Sequence, residues 1–168
     1  MAKFSGFLKD TDLFYNLTAT QLEMVESICE EKQFRDGELI FPENSHEKEL
    51  YLIFRGQVDI FLNPSLVSRN PTANARSEVI AHLLRGQSFG EVALVDEGIR
   101  SAGAKAASSD TFLLQISRER LLYLCNSYPE LGYRVMYNLA QDLSQKIRNA
   151  DLKIREVLLY QPRRSEPT

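Results

Sequence analysis

The chain changes its hydrophobic period twice. Near the N-terminus, apolar positions recur at helical steps: Leu22, Val25, Ile28 and Cys29 share one face, and Thr18 precedes Gln21 at capping-box spacing. Residues 1–35 are therefore expected to be helical, up to the break at Asp36-Gly37. From Glu38 to Ile116 the signal becomes one of short strands. Gln57 to Leu62 places Val58, Ile60 and Leu62 on one face, the period of a half-buried strand. Tyr51-Leu52-Ile53-Phe54 and Phe112 to Ile116 are short apolar runs rich in β formers, and Arg55-Gly56-Gln57 is a tight turn between two strands. Glu78 to Leu84 is a returning strand. Before it, the polar stretch Asn63 to Arg76, with Pro64 and Pro71, is expected to be an exposed, mobile hairpin loop. Short strands at regular intervals without long helices between them predict an antiparallel sandwich or barrel.

After Ile116 the helical period returns. Arg118 to Ser127 forms one short helix, closed by Tyr128-Pro129. Glu130 to Tyr160 then runs without proline and with only Gly132, roughly 30 residues or 45 Å of helix. Its apolar positions Met136, Leu139, Leu143, Ile147, Ala150, Ile154 and Val157 step by 3.5 residues on average, a coiled-coil value. Such a seam needs a partner for its outer stretch, most simply the same helix of a second copy. Gln161 to Thr168 carries two prolines and no core residue, and is expected to be disordered.

Composition narrows the classes. At 168 residues and 43% apolar, the chain can build one real core with an appended helix. No apolar run approaches the length of a membrane span, about 18 residues, and Met-Ala-Lys-Phe-Ser-Gly is no secretory signal. A cytoplasmic location without membrane contact is expected. Cys29 and Cys125 both fall in apolar helical patterns, which predicts buried thiols and excludes a disulfide framework. The net charge of −3 is uneven: residues 1–50 hold 5 basic and 11 acidic groups. That acidic front argues against nucleic-acid binding and for a protein or small-molecule partner.

One segment departs from the strand pattern for no packing reason, Arg85 to Ala102. Gly86 and Gly90 permit positive φ, and Glu91 opens a short apolar turn, Val92 to Val95, whose leading amides are free to meet an anion. Arg100 follows nine residues after Glu91 with a guanidinium fork suited to a phosphate, and Ser101 adds a hydroxyl. A carboxylate alongside can accept from sugar hydroxyls. The competing reading pairs Arg100 with Asp96 or Glu97 at the surface and leaves the glycines as turns. Lys105, just beyond, reads as solvated, and His46 and His82 as structural.

Phe89-Gly90-Glu91-Val92-Ala93-Leu94, followed by Arg100-Ser101-Ala102, resembles the phosphate-binding cassette of the cyclic nucleotide-binding domain family. Asp36 to Phe41 looks like the approach to that family's first strand, and Glu49 to Val58 like its next hairpin. The resemblance covers about residues 8 to 160. It implies a mainly β fold: an eight-stranded antiparallel jelly roll (a double-stranded β-helix) flanked by N-terminal helices and a long C-terminal helix. Residues 1–129 would form the jelly roll with its N-terminal helices, 130–160 a lid and dimerisation helix, and 161–168 a tail.

The resemblance also implies a ligand, cAMP or cGMP, and no other cofactor. Glu91 would take the ribose 2′-hydroxyl, Arg100 the cyclic phosphate, and the Val92 and Ala93 amides with Ser101 would complete the cradle. The base would lie between Ile60, Ala81 and Leu83 and the C-terminal helix. Members that prefer cGMP often carry Thr directly after the cassette arginine; Ser101 stands there and leans the expectation to cAMP. The regulators of this family append a helix-turn-helix and its kinases and channels large effector domains. Neither pattern occurs before Thr168. The expectation is thus a non-enzymatic sensor that homodimerises through its C-terminal helix, acts on an unidentified effector protein and does not touch DNA. A scaffold that has lost its ligand, and a jelly-roll metalloenzyme of the cupin kind, are the alternatives. The latter needs clustered histidines, whereas His46 and His82 stand far apart.

Overall fold

A computed structural model describes residues 3–63, 77–95 and 98–160. Thr18 caps the first long helix as its spacing requires: the Gln21 amide donates to Thr18 Oγ1 at 3.3 Å, and the Thr18 amide to Gln21 Oε1 at 2.9 Å. That helix, α2 (Ala19–Glu26), follows α1 (Ser5–Lys9) and a single 3-10 turn, Asp12–Phe14. Among the described residues eight strands come next: β1 (Cys29–Phe34), β2 (Leu39–Phe41), β3 (Glu49–Arg55), β4 (Val58–Leu62), β5 (Glu78–Leu83), β6 (Ser88–Phe89), β7 (Gly103–Ala106) and β8 (Thr111–Ser117). The one-turn helix α3 (Val92–Val95) interrupts them, and α4 (Arg118–Ser127) and α5 (Pro129–Tyr160) follow.

The strands form two antiparallel sheets in the orders β1-β8-β3-β6 and β2-β7-β4-β5. This is the expected jelly roll. The β label belongs to the barrel, because α5 alone holds 32 residues. Strand β3 is apolar from Leu50 to Phe54, and Leu50 to Ile53 are buried because both faces are covered there. Leu50 and Leu52 join the cluster shared with the helices, and Tyr51 and Ile53 point into the barrel with Phe41, Val58, Phe89 and Leu113. Gly56 closes the β3–β4 turn at φ +88°, with no room for a side chain against Asp110 and Thr111.

The helical expectation for residues 1–35 fails at its end. Helix α2 stops at Glu26, and Cys29–Phe34 is an edge strand paired with β8 from Cys29 opposite Ile116 to Phe34 opposite Thr111. The three charged residues Glu30, Glu31 and Lys32 hid it; such residues suit an edge, where they discourage pairing with another chain. Asp36 to Phe41 accordingly leads into the second strand, not the first. Cys29 thus lies on β1, half-buried, and not on a helix; burial and Glu26 push its thiol up to about 12. Cys125 is buried on α4.

Helix α5 is two helices in environment. Its first half is core: Leu131, Val135 and Leu139 are buried, and Gly132 lets it approach α4 so closely that a Cβ would lie 2.6 Å from the Cys125 carbonyl oxygen. Asn138, also buried, donates from Nδ2 to the carbonyls of Leu13 (3.0 Å) and Tyr15 (2.9 Å), which fixes the 3-10 turn on α5. Beyond Leu143 the helix leaves this core. The expected mobile loop, from Pro64 on, and the tail 161–168 lie outside the described residues.

Candidate functional site

The cassette is built around one buried arginine. Gly90 follows β6 at φ +81°, and a Cβ there would stand 2.5 Å from Arg100 Nη1 and 2.8 Å from the Glu49 carbonyl. The missing side chain admits Arg100, which is 4% exposed. Its Nη1 donates to the Gly90 carbonyl at 3.0 Å and its Nη2 to the Glu49 carbonyl at 2.6 Å. The guanidinium carbon lies 4.2 Å from the centre of the Phe41 ring. The Arg100 amide and carbonyl are held by Ser45 and Asn44, both at 2.9 Å. Burial pulls the guanidinium below its ordinary pKa, against the charges of Tyr51, Glu49, Glu47 and Glu91. Arginine stays cationic at neutral pH all the same. Its Nε has no hydrogen-bond partner among the described residues. So deep a side chain is no surface ion pair; Asp96 and Glu97, its alternative partners, lie outside the described residues.

Glu91 comes next in the chain and is 6% exposed. Lys146 of α5 donates to its Oε1 at 2.8 Å, and also to the Ser88 carbonyl at 3.1 Å. The turn α3 that follows is anchored by Leu94, buried beneath it, whose carbonyl accepts from Arg118 Nε at 2.9 Å.

Glu91 and Arg100 line one cavity of about 740 Å³, within the range of small-ligand sites. Of the residues expected to bind ligand, Phe89, Gly90, Glu91, Val92, Arg100, Ser101, Ala102, Ile60, Ala81 and Leu83 all line it; the side chain of Ala93 lies outside what the structure describes. The register explains the far wall: Ile60 stands opposite Ala81, and Val58 opposite Leu83, across β4 and β5. His82, between Ala81 and Leu83 on β5, also borders the cavity, its exposed side chain paired with Asp59 at 2.7 Å. Lys105 is half-buried, its ammonium 5.8 Å from the Phe61 ring centre, where solvation was expected. Among the described residues no group of three or more His, Cys, Asp or Glu side chains is placed to hold a metal ion.

Sequence reasoning missed Phe41 and Lys153 on the cavity wall, and reached Lys146 and Asn149 only as part of the stretch of the C-terminal helix, Leu143 to Asn149, expected to roof the pocket. Lys146 and Lys153 were legible only as polar breaks beside the apolar seam of α5, a pattern without a partner in it. Lys153 reaches across to the Ile80 carbonyl at 2.9 Å. Ala150 and Ile154, read as seam, line the cavity as well.

The comparisons agree with this geometry. The model of the cyclic nucleotide-binding domain matches residues 31–128. The cyclic AMP receptor protein of Thermus thermophilus is 32% identical over 88% of this chain and 62% of its own length. Human cGMP-dependent protein kinase 2 is 25% identical over 77% of this chain, and only 16% of the kinase is covered. The chain therefore spans less than two thirds of either relative. A cyclic nucleotide-binding domain from Methylobacillus flagellatus superimposes with a TM-score of 0.75 over 93% of this chain and 86% of its own, at 21% identity, a likeness of fold. With more than half its length matched, and a glycine-opened cassette around a buried arginine, the chain belongs to the cyclic nucleotide-binding domain family.

Proposed function

We propose that this protein is a non-enzymatic intracellular sensor that binds a 3′,5′-cyclic nucleotide, cAMP in preference to cGMP, and signals through α5. One observation carries the reading: a buried arginine with an unpartnered Nε faces a cavity that a buried carboxylate also lines. Glu49 Oε2 stands 4.0 Å from Nη2, and a buried cation so weakly paired calls for a closer anion. The phosphate would pair with Arg100, the leading amides of α3 at Val92 and Ala93, and the Ser101 hydroxyl. Glu91 would accept from the ribose 2′-hydroxyl, and the base would lie between Ile60, Ala81 and Leu83 and the cavity-lining turns of α5. The preference for cAMP is supported by Ser101 after Arg100 and by the name of the Thermus relative.

The outer turns of α5 would join a second copy and carry the signal to an effector protein. Ile147, Val157 and Leu158 are each more than 60% exposed there, a long apolar stripe for a surface helix.

Isothermal titration of ligand-stripped protein with cAMP and with cGMP tests the reading, with Arg100→Ala in parallel. Wild type should bind one nucleotide per chain, cAMP the more tightly. The variant should lose about 2–5 kcal/mol, because the phosphate stays desolvated without its partner. An unchanged affinity in Arg100→Ala, or no heat with either nucleotide, would overturn it; tighter cGMP binding would overturn the base preference alone.

A further inference from the structure

Glu91 is a buried carboxylate, and a buried charge is costly unless it is paired and hydrogen-bonded. Lys146 supplies that pairing from a different element, 55 positions along the chain. Three oxygens surround its ammonium: Glu91 Oε1 at 2.8 Å, Asp142 Oδ2 at 2.8 Å and the Ser88 carbonyl at 3.1 Å. An ammonium has three protons to donate. Two of these contacts are hydrogen bonds, to Glu91 and the Ser88 carbonyl, and Asp142 adds an ion pair, so Lys146 is committed to the protein although it lines the cavity.

The geometry points to Lys146 as a positioning residue for ribose recognition: it takes one oxygen of Glu91 and sets the carboxylate so that the other meets the 2′-hydroxyl of the bound nucleotide. The inference rests on the proposed nucleotide reading and deepens it, because it makes the sugar contact a joint property of the cassette and α5. Asp142, one turn earlier on α5, forms an ion pair with Lys146, and the carbonyl of Ser88 on β6 accepts a second hydrogen bond from it. Burial lowers the ammonium's pKa, and Glu91 and Asp142 raise it further than burial lowers it, so Lys146 remains charged at neutral pH. Its place on the helix suits the task. Leu143 before it packs on the core and Ala150 after it lines the cavity, so Lys146 stands where α5 leaves the helical core and begins to wall the cavity.

The readout that separates positioning from mere structure is the ratio of affinities for cAMP and 2′-deoxy-cAMP. Without Lys146, Glu91 loses its setting, and only the ligand that uses Glu91 should notice. Titration calorimetry of wild type, Lys146→Met and Lys146→Arg with both nucleotides decides it. Methionine keeps the aliphatic stem and removes the charge. Wild type should prefer cAMP. Lys146→Met should lose about tenfold in cAMP affinity, one hydrogen bond's worth, while its affinity for 2′-deoxy-cAMP stays within about twofold, so that the preference collapses. Lys146→Arg should restore part of it.

Binding of 2′-deoxy-cAMP also reports that the variant is folded. Should Lys146→Met not fold, Asp142→Asn carries the same test with a smaller fall in the ratio. A wild-type ratio kept in both variants, or tighter cAMP binding in Lys146→Met, would show Lys146 to be a competitor or a bystander and sink the inference while leaving nucleotide binding intact. A wild type that binds neither nucleotide would remove the functional reading and this inference together.

Discussion

Gly90 meets two demands at once. Its φ of +81° disfavours any side chain, and its missing Cβ is the space that Arg100 fills. Gly90→Ala should therefore cost about 1–2 kcal/mol in the left-handed backbone alone. It should also displace the guanidinium and weaken cAMP by at least about tenfold, as the loss of a charge-assisted contact does. Urea unfolding and calorimetry on one preparation would read both effects; cAMP affinity equal to wild type would mean that Arg100 is held by other contacts. Residues of this kind are legible in a sequence because their chemistry is local. Glycine, glutamate and arginine stand within eleven positions, and their spacing is their geometry. Lys146 and Phe41 are not, because what defines them is a partner in a distant element: Glu91 for the lysine, the Arg100 guanidinium for the ring. No periodicity encodes such a meeting.

At the scale of elements, strands with two covered faces and helices with a cap are the parts a pattern discloses. Strand β3 was visible as an unbroken apolar run, and the start of α2 as Thr18 with Gln21. Strand β1 was not, because an edge strand buries little and writes its charges over its alternation. Strand β6, two residues long, is shorter than any period. The cap on α2 allows a direct test, since its two reciprocal bonds involve only Thr18 and Gln21. Thr18→Ala should destabilise the fold by about 1 kcal/mol. The urea midpoint should fall with the slope unchanged, as when stability alone is altered. Thr18 does not line the nucleotide cavity, so cAMP affinity should remain as in wild type. An unchanged midpoint would mean that the cap is replaced by water at no cost.

For the whole molecule, the question is what covers the far half of α5. The seam read from the sequence divides where the helix leaves the core. Leu139 is 2% exposed and Ile147 63%. The first turns are thus satisfied within one chain, and only the remainder calls for a partner. Ala150 and Ile154 face the cavity edge, whereas Ile147 and Val157 do not line it and are exposed. A parallel pairing of two α5 helices would cover these side chains. It would also tie the cavity to the dimer, since the turns that carry Lys146 and Lys153 sit within the same stretch. The double variant Ile147→Asp, Val157→Asp leaves the cavity wall untouched and sets like charges against each other across the pairing. Sedimentation velocity should find wild type dimeric and the variant monomeric, with weaker cAMP binding in the monomer because its α5 turns have lost their support. A wild-type chain that sediments as a monomer at high micromolar concentration, with and without cAMP, would exclude the pairing and assign the stripe to a different partner.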